Sequence, residues 1–239
     1  MEEIKDKYKV TEEFKAKGKL ILILGAGGNW GGHFSLGMPS ACGCDAVLAE
    51  LNENKESLDE VVEDIKSSNL PVKTFTEILS KKDLSDRISL YQNLERKYGY
   101  FPCILDVEGI NNNYIFPESK KIRQKPIINK EDMKPRYQVG INDILKGKKI
   151  LIVGPSGNWG SHMAIGMGLL GQADLILVDL ENKKEKVEKI KNDIGNGVNI
   201  YCEYINTNDK IDRYNLFNNI KNKYGKFDAF MDMMEINKD

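Results

Sequence analysis

Short unbroken apolar runs alternate along the chain with longer stretches in which apolar positions recur every three or four residues. Leu20–Leu24 (LILIL) is the first run and reads as a buried strand. A glycine turn follows it, and then a helix from about Trp30, which Pro39 is expected to end or kink. Residues 45–51 (DAVLAEL) form a second run. Residues 57–65 place Leu58, Val61, Val62 and Ile65 on one helical face with acids between them. A third strand is expected over 71–75 and a helix over 84–98, with Ile88, Leu90, Tyr91 and Leu94 inward. A fourth strand is expected over 102–105. This βαβαβαβ order predicts an α/β fold with a parallel sheet between helices.

The pattern then occurs a second time. Gly25-Ala26-Gly27-Gly28-Asn29-Trp30-Gly31-Gly32-His33 corresponds to Gly154-Pro155-Ser156-Gly157-Asn158-Trp159-Gly160-Ser161-His162, a shift of 129 (154 − 25). The chain's two Trp and two His all lie in these stretches at matching positions. The same shift maps Glu50 onto Asp179 and Gly37-Met38 onto Gly166-Met167. Lys97-Tyr98-Gly99 matches Lys223-Tyr224-Gly225 at a shift of 126 (223 − 97), so a short deletion lies between. Strands of the second copy are expected near 149–153, 174–179, 198–202 and 227–231. The organisation expected is an arm over 1–17, a first Rossmann-like unit over 18–112, a linker over 113–146 and a second unit over 147–239. The linker is rich in Lys and Arg, carries Pro117, Pro126 and Pro135, and is expected to be partly ordered over 141–145. Its basic run from Lys120 to Lys125 reads as solvated surface rather than a phosphate site.

Within each copy the glycines are spaced GxxGxxG: Gly25, Gly28, Gly31 and Gly154, Gly157, Gly160. A glycine turn between a buried strand and a helix is the usual holder of a dinucleotide pyrophosphate. The first glycine makes the tight turn, the second lets backbone N–H groups approach phosphate, and the third lets the helix pack on the sheet. Glu50 and Asp179 follow 25 residues after the first glycine, at the carboxyl end of the second strand. A carboxylate there accepts from ribose hydroxyls and repels a 2′-phosphate, which favours NAD over NADP. Asn29 and Asn158 tolerate left-handed backbone and can donate to phosphate. Trp30 and Trp159 read first as packing residues that fill space between the units, and second as stacking partners for a ligand. His33 and His162 fall in the first helical turn, near the expected pyrophosphate.

Composition narrows the functional classes. The formal net charge is −1, so nothing points to a nucleic-acid or membrane partner, and no apolar run approaches the roughly 20 residues a membrane span needs. The charged amino terminus lacks the apolar segment of a secretion signal, which makes the cytoplasm the expected compartment. Cys42-Gly43-Cys44 reads as two reduced residues beside a strand. With two His and no cysteine cluster, no metal site is expected.

The glycine spacing, together with Glu95-Arg96-Lys97-Tyr98-Gly99 before Phe101-Pro102-Cys103-Ile104-Leu105 and Lys221-Asn222-Lys223-Tyr224-Gly225-Lys226-Phe227-Asp228, resembles the short-chain dehydrogenase/reductase family. The resemblance covers about half of that fold, twice. It implies strand order 3-2-1-4 in each unit, an NAD(P) cofactor and hydride transfer on a small carbonyl or alcohol substrate. Family members hold adenine with an Asp after the third strand. Ser80 and Asn206 stand there in this chain, and of these Asn206 is the plausible substitute. Two departures stand out. Asp106-Val107-Glu108-Gly109 and Asp232-Met233-Met234-Glu235 replace the family's Asn-Asn-Ala-Gly, and the chain contains no Tyr-x-x-x-Lys. In the family that Tyr and Lys shuttle the proton during hydride transfer.

Two functions follow as expectations. One is an NAD(H)-binding protein of oxidoreductase type. The other is a non-catalytic dinucleotide-binding or scaffold protein. Each order 3-2-1-4 leaves its fourth strand open at an edge, and open edges are normally paired or covered. The two units are therefore expected to associate face to face or edge to edge within the chain, or the chain to form a homodimer.

Overall fold

The computed structural model describes residues 16–67, 71–111, 145–206 and 212–236. Most of the expected arm and linker, including the basic run at 120–125, lies outside them. The first unit comprises β1 Leu20–Leu24, α1 Asn29–Cys42, β2 Asp45–Leu51, α2 Lys55–Ser67, β3 Thr74–Leu79, α3 Arg87–Tyr98 and β4 Cys103–Asp106. The second comprises β5 Lys149–Val153, α4 Asn158–Ile165, β6 Asp174–Leu180, α5 Lys184–Ile194, β7 Ile200–Ile205, α6 Arg213–Tyr224 and β8 Ala229–Asp232. A π-helical turn, Gly166–Leu170, extends α4.

The two half-sheets form one eight-stranded sheet in the order β3-β2-β1-β4-β8-β5-β6-β7. Each half keeps the order 3-2-1-4 with parallel pairing throughout. The halves meet edge to edge at β4 and β8, which pair antiparallel with Ile104 opposite Asp232, Leu105 opposite Met231 and Asp106 opposite Phe230. Thus the open edge of each half covers that of the other. The parallel half-sheets expected from the sequence join edge to edge, through an antiparallel seam, into one sheet.

Pleating sends alternate side chains to opposite faces. Ile21 and Ile23 join α1, α2, α4 and α5 through Phe34, Met38, Leu58, Val61, Ala164, Val187 and Ile190. Leu22 and Leu24 join α3 and α6 through Leu90, Tyr91, Leu94, Phe217 and Ile220. At the seam the second face is aromatic, with the Tyr91 ring 6.2 Å from Phe217 and 6.0 Å from Phe230, and Phe217 5.2 Å from Phe230. Each such pair adds roughly 0.5–1.5 kcal/mol beyond its buried area, so the seam has a hydrophobic core of its own.

Polar contacts also cross the seam. Lys19 Nζ donates to the Glu235 carbonyl at 3.1 Å, and Lys148 Nζ donates to the Gly109 carbonyl at 3.0 Å. Lys19 and Lys148 are repeat equivalents at the shift of 129, and Gly109 and Glu235 at the shift of 126. The two clasps are therefore one interaction made twice about an approximate two-fold axis.

Several boundaries differ from the sequence pattern, and three have a plain physical reason. Helix α1 runs through Pro39 to Cys42 and ends on Gly43 in left-handed conformation, with the Gly43 N–H on the Pro39 carbonyl. Strand β3 begins at Thr74, because its partner β2 extends to Leu51 and Ala46–Leu51 pair with residues 74–79 in register. Strand β7 begins at Ile200 for the same reason, its last residue lying opposite Leu180.

Candidate functional site

The two glycine turns have closely similar backbones. Gly25 and Gly154 have φ +76° and +83°, a region that favours glycine, and their N–H groups bond the carbonyls of Ala49 and Val178, both at 2.9 Å. Gly28 and Gly157 are the N-cap residues of α1 and α4. At Gly31 an added Cβ would stand 1.8 Å from the Gly25 carbonyl oxygen, and at Gly160 2.1 Å from that of Gly154. Helix and turn thus touch backbone to backbone, as expected for the third glycine.

The carboxylates are turned toward the glycine loops. Glu50 is 1% exposed, and its Oε2 accepts from the Gly27 N–H at 2.9 Å. Its Oε1 accepts from the Leu51 N–H at 2.8 Å and from Asn54 Nδ2 at 3.3 Å. Asp179 is 3% exposed and accepts from the Ser156 and Leu180 N–H groups, both at 2.8 Å. Each acid pins the loop of its own copy, which gives it a structural task besides any ribose contact. Burial raises the Glu50 pKa, and the N–H groups of Leu51 and Gly27 and the Asn54 amide oppose that rise.

Around the turns, Trp30 and Trp159 are partly buried and pack on the core shared by α1, α2, α4 and α5. The Trp30 ring lies 6.5 Å from Phe34, and its indole Nε1 is buried with no hydrogen-bond partner among the described residues. Asn29 is half-buried, whereas Asn158 is exposed. His33 and His162 are exposed, and His162 Nδ1 pairs with the Asn158 carbonyl of its own helix at 2.7 Å. Ser80 caps a turn by donating to Asp83 through its N–H and hydroxyl, and Asn206 is exposed just after β7. Among the described residues no group of three His, Cys, Asp or Glu is placed to hold a metal ion, and no helix is long and apolar enough to cross a membrane.

Because β4 and β8 are antiparallel, the carboxyl ends of β1 and β5 lie at opposite edges of the sheet. The two turns open away from each other. A single ligand does not bridge them, and each site is built from one copy of the repeat.

Two features of the turn surroundings escaped the sequence reading. Arg87 Nε pairs with Asp106 Oδ2 at 2.7 Å, and Arg213 Nε pairs with Asp232 Oδ2 at 2.5 Å. Both aspartates are buried, and each Oδ1 accepts the N–H two residues ahead, from Glu108 and Met234 at 3.3 Å. Burial pushes the Asp232 pKa up against the pull of Arg213. The signal was present, since the shift of 126 carries Arg87 onto Arg213 and Asp106 onto Asp232. The second feature is Asn111. Its Oδ1 accepts from the Trp30 N–H at 3.0 Å and the Gly31 N–H at 3.4 Å, and its Nδ2 donates to the Gly25 carbonyl at 2.8 Å. Two N–H groups of the first turn of α1 therefore converge on one acceptor atom, the geometry a phosphate oxygen requires.

No family model matches the sequence, and no curated protein matches it. Among solved structures, the chain is similar to a multidomain structure with adenylation, ketoreductase and pseudo Asub parts from a keto acid-selecting NRPS module. That match has 10% identity and a TM-score of 0.27 and covers 94% of this chain and 21% of the other. A ketoreductase domain from the bacillaene assembly line matches at 11% identity and TM-score 0.27, covering 88% and 56%. Shikimate 5-dehydrogenase from Listeria monocytogenes, in complex with shikimate and NAD, matches at 12% and 0.22, covering 83% and 64%. The chain thus spans less than two thirds of each. At these values the likenesses carry no argument about family, cofactor or substrate.

Proposed function

We propose that this chain binds a dinucleotide at its glycine turns, NAD(H) in preference to NADP(H). The first site would comprise Gly25, Gly28, Asn29, Trp30, Gly31 and Glu50. The second would comprise Gly154, Gly157, Asn158, Trp159, Gly160 and Asp179, with Asn206 beside the adenine. The observation that carries the reading is the convergence of the Trp30 and Gly31 N–H groups on one acceptor at the start of α1, with Glu50 buried behind the same loop. An anion at that place gains two backbone donors and the positive end of a helix. The carboxylates of Glu50 and Asp179 disfavour a 2′-phosphate.

Hydride transfer to a small carbonyl or alcohol is the activity this binding would serve in an oxidoreductase. A non-catalytic dinucleotide-binding or scaffold role is favoured by one observation, the absence of Tyr-x-x-x-Lys from the sequence. Calorimetric titration separates the outcomes. NADH is expected to bind at least tenfold more tightly than NADPH. Failure of both to bind, even when the Asn111 side chain is cut back to alanine, removes the dinucleotide reading, and bound NADH that is never oxidised by a panel of ketones and aldehydes favours the scaffold role.

A further inference from the structure

We propose that Asn111 is an internal latch on the first glycine turn, occupying the place of an incoming phosphate oxygen so that an anion enters only when Asn111 withdraws. The latch rests on the reading that the turn takes a dinucleotide, and it adds how that site is controlled. Asn111 lies 86 residues beyond Gly25 in the chain, yet its amide sits inside the turn. Its oxygen takes the two converging N–H groups, and its nitrogen takes the Gly25 carbonyl. The fit is close: a Cβ added at Gly28 would stand 2.2 Å from Asn111 Cγ, and one at Gly25 would stand 2.4 Å from Asn111 Nδ2. The volume that glycine leaves open for a ligand is filled by this side chain.

An amide is suited to this task because it carries acceptor and donor on one planar group. A phosphate can replace the acceptor half, since an anion takes two N–H groups more strongly than a neutral amide does. It cannot replace the donor half, so the Gly25 carbonyl loses its partner when Asn111 is displaced. The exchange is therefore a competition, and the apparent dissociation constant is the intrinsic one divided by the fraction of chains with the latch open. Ile110 is buried and ends a 3₁₀ turn, Glu108–Ile110, directly before Asn111. The amide is thus presented from the carboxyl end of β4, the strand next to β1. In the second copy Ile236-Asn237 matches Ile110-Asn111 at the shift of 126, with Asn237 outside the described residues.

The test uses the full chain and three variants: Asn111→Ala, Asn111→Ser, and Asn111→Ala combined with Gly28→Val. Gly28 has φ −74°, which valine adopts without strain, so the double variant refills the turn with a side chain that cannot swing out. Two readouts are taken, calorimetry with NADH and ¹⁵N shifts of the Trp30 and Gly31 amides on adding inorganic pyrophosphate. Opening the latch should tighten NADH binding roughly tenfold or more. Pyrophosphate should move the two amides at concentrations that leave the unaltered protein unmoved, and both effects should vanish in the double variant. The serine variant, too short to bridge the turn, should behave as the alanine one, and it decides the matter if the alanine variant fails to fold. Unchanged or weaker binding in both single variants, with no pyrophosphate response, overturns the latch. A pyrophosphate response without NADH binding in any variant keeps the latch and removes the dinucleotide reading.

Discussion

The two copies of the repeat agree where each holds its own turn and differ in side chains that meet at the seam. Glu50 and Asp179 each accept the N–H two residues after the first glycine, and Arg87–Asp106 and Arg213–Asp232 are paired in the same way. At the outer edges Glu77 accepts from Lys97 and Tyr98, and Glu203 from Lys223 and Tyr224. At the seam the two lysine clasps repeat, but the acidic and aromatic contacts around them do not. Glu95 accepts from Arg213 at 3.2 Å and from the Tyr214 hydroxyl, but its repeat equivalent is Lys221. Arg87 instead takes Glu108 at 3.1 Å, whose equivalent is Met234, and Tyr91, which donates to Asp106 at 2.7 Å, is matched by Phe217. Tyr100 donates to Glu235, whereas Lys226 stands at the matching position. A two-fold joint between identical halves would repeat every contact. This joint has become complementary instead. Two second units placed together would set Lys221 against Arg213, a like-charge contact that disfavours self-pairing.

The largest effect should come from the glycines at which the copies agree. Gly31→Ala and Gly160→Ala each drive a Cβ into a backbone oxygen that cannot rotate away, at 1.8 and 2.1 Å. Each should cost about 3 kcal/mol or more of unfolding free energy, read from urea midpoints, and the two losses should be similar. A loss at one copy alone would break the equivalence of the turns. Gly28→Ala tests a different contact, because its Cβ meets only the Asn111 side chain among its nearest atoms. Its cost should largely disappear in an Asn111→Ala background, a coupling that a double-mutant cycle measures directly.

Next in size is the charge exchange at the seam. Glu95→Lys leaves the Arg213 guanidinium, with a side chain 9% exposed, facing a second cation, and removes the acceptor of Tyr214. The expected cost is about 2–4 kcal/mol. Lys221→Glu, at an exposed equivalent position, should change stability by less than about 1 kcal/mol. Equal costs for the two would show that the seam is still two-fold in its energetics and would overturn its description as complementary.

Much of this architecture was legible in the sequence, and the parts that were not share a physical cause. Unbroken apolar runs and the GxxGxxG spacing are local signals, so β1, β2, β5 and both turns fall where the pattern puts them. Strands β3 and β7 were placed two or three residues early, because an edge strand takes its limits from the neighbour it pairs with. Pro39 looked like a helix stop, yet the helix continues to a left-handed glycine that ends it. The open edges announced that something would cover them. Nothing local says that β4 would choose β8, since no tight turn sets the register of strands so far apart in the chain. Asn111 carried no signal of its own at the end of the first unit, because composition reports loops and is silent about an amide carried back to a turn 80 residues away. The carboxylates were read for what they could offer a ribose, and their second task, holding backbone N–H groups of the glycine loops, left no mark on the residue pattern.

A pH-dependent effect concerns a difference inside the repeat. Cys42 and Cys44 of the first copy correspond to Gly171 and Ala173 of the second at the shift of 129. Both thiols are free and buried, and burial pushes the Cys42 pKa up to about 11 and that of Cys44 up to about 12. In the unfolded chain they titrate near the ordinary value of about 8.5. Between roughly pH 8.5 and their folded values the native state therefore holds protons that the unfolded state has released. Stability is fully present below that window and falls as pH rises through it, by at most about 1.4 kcal/mol per pH unit for each thiol. A Cys42→Ala, Cys44→Ala variant, which brings the first copy closer to the second, should lose less stability than the parent on going from pH 8 to pH 10. The difference between the two proteins isolates the thiols from the tyrosines and lysines that titrate in the same range. Parallel stability curves would mean that both thiols reach water in the folded chain. In that case iodoacetamide at pH 8 would label them as fast as the half-buried Cys202, where the geometry predicts that Cys202 reacts first.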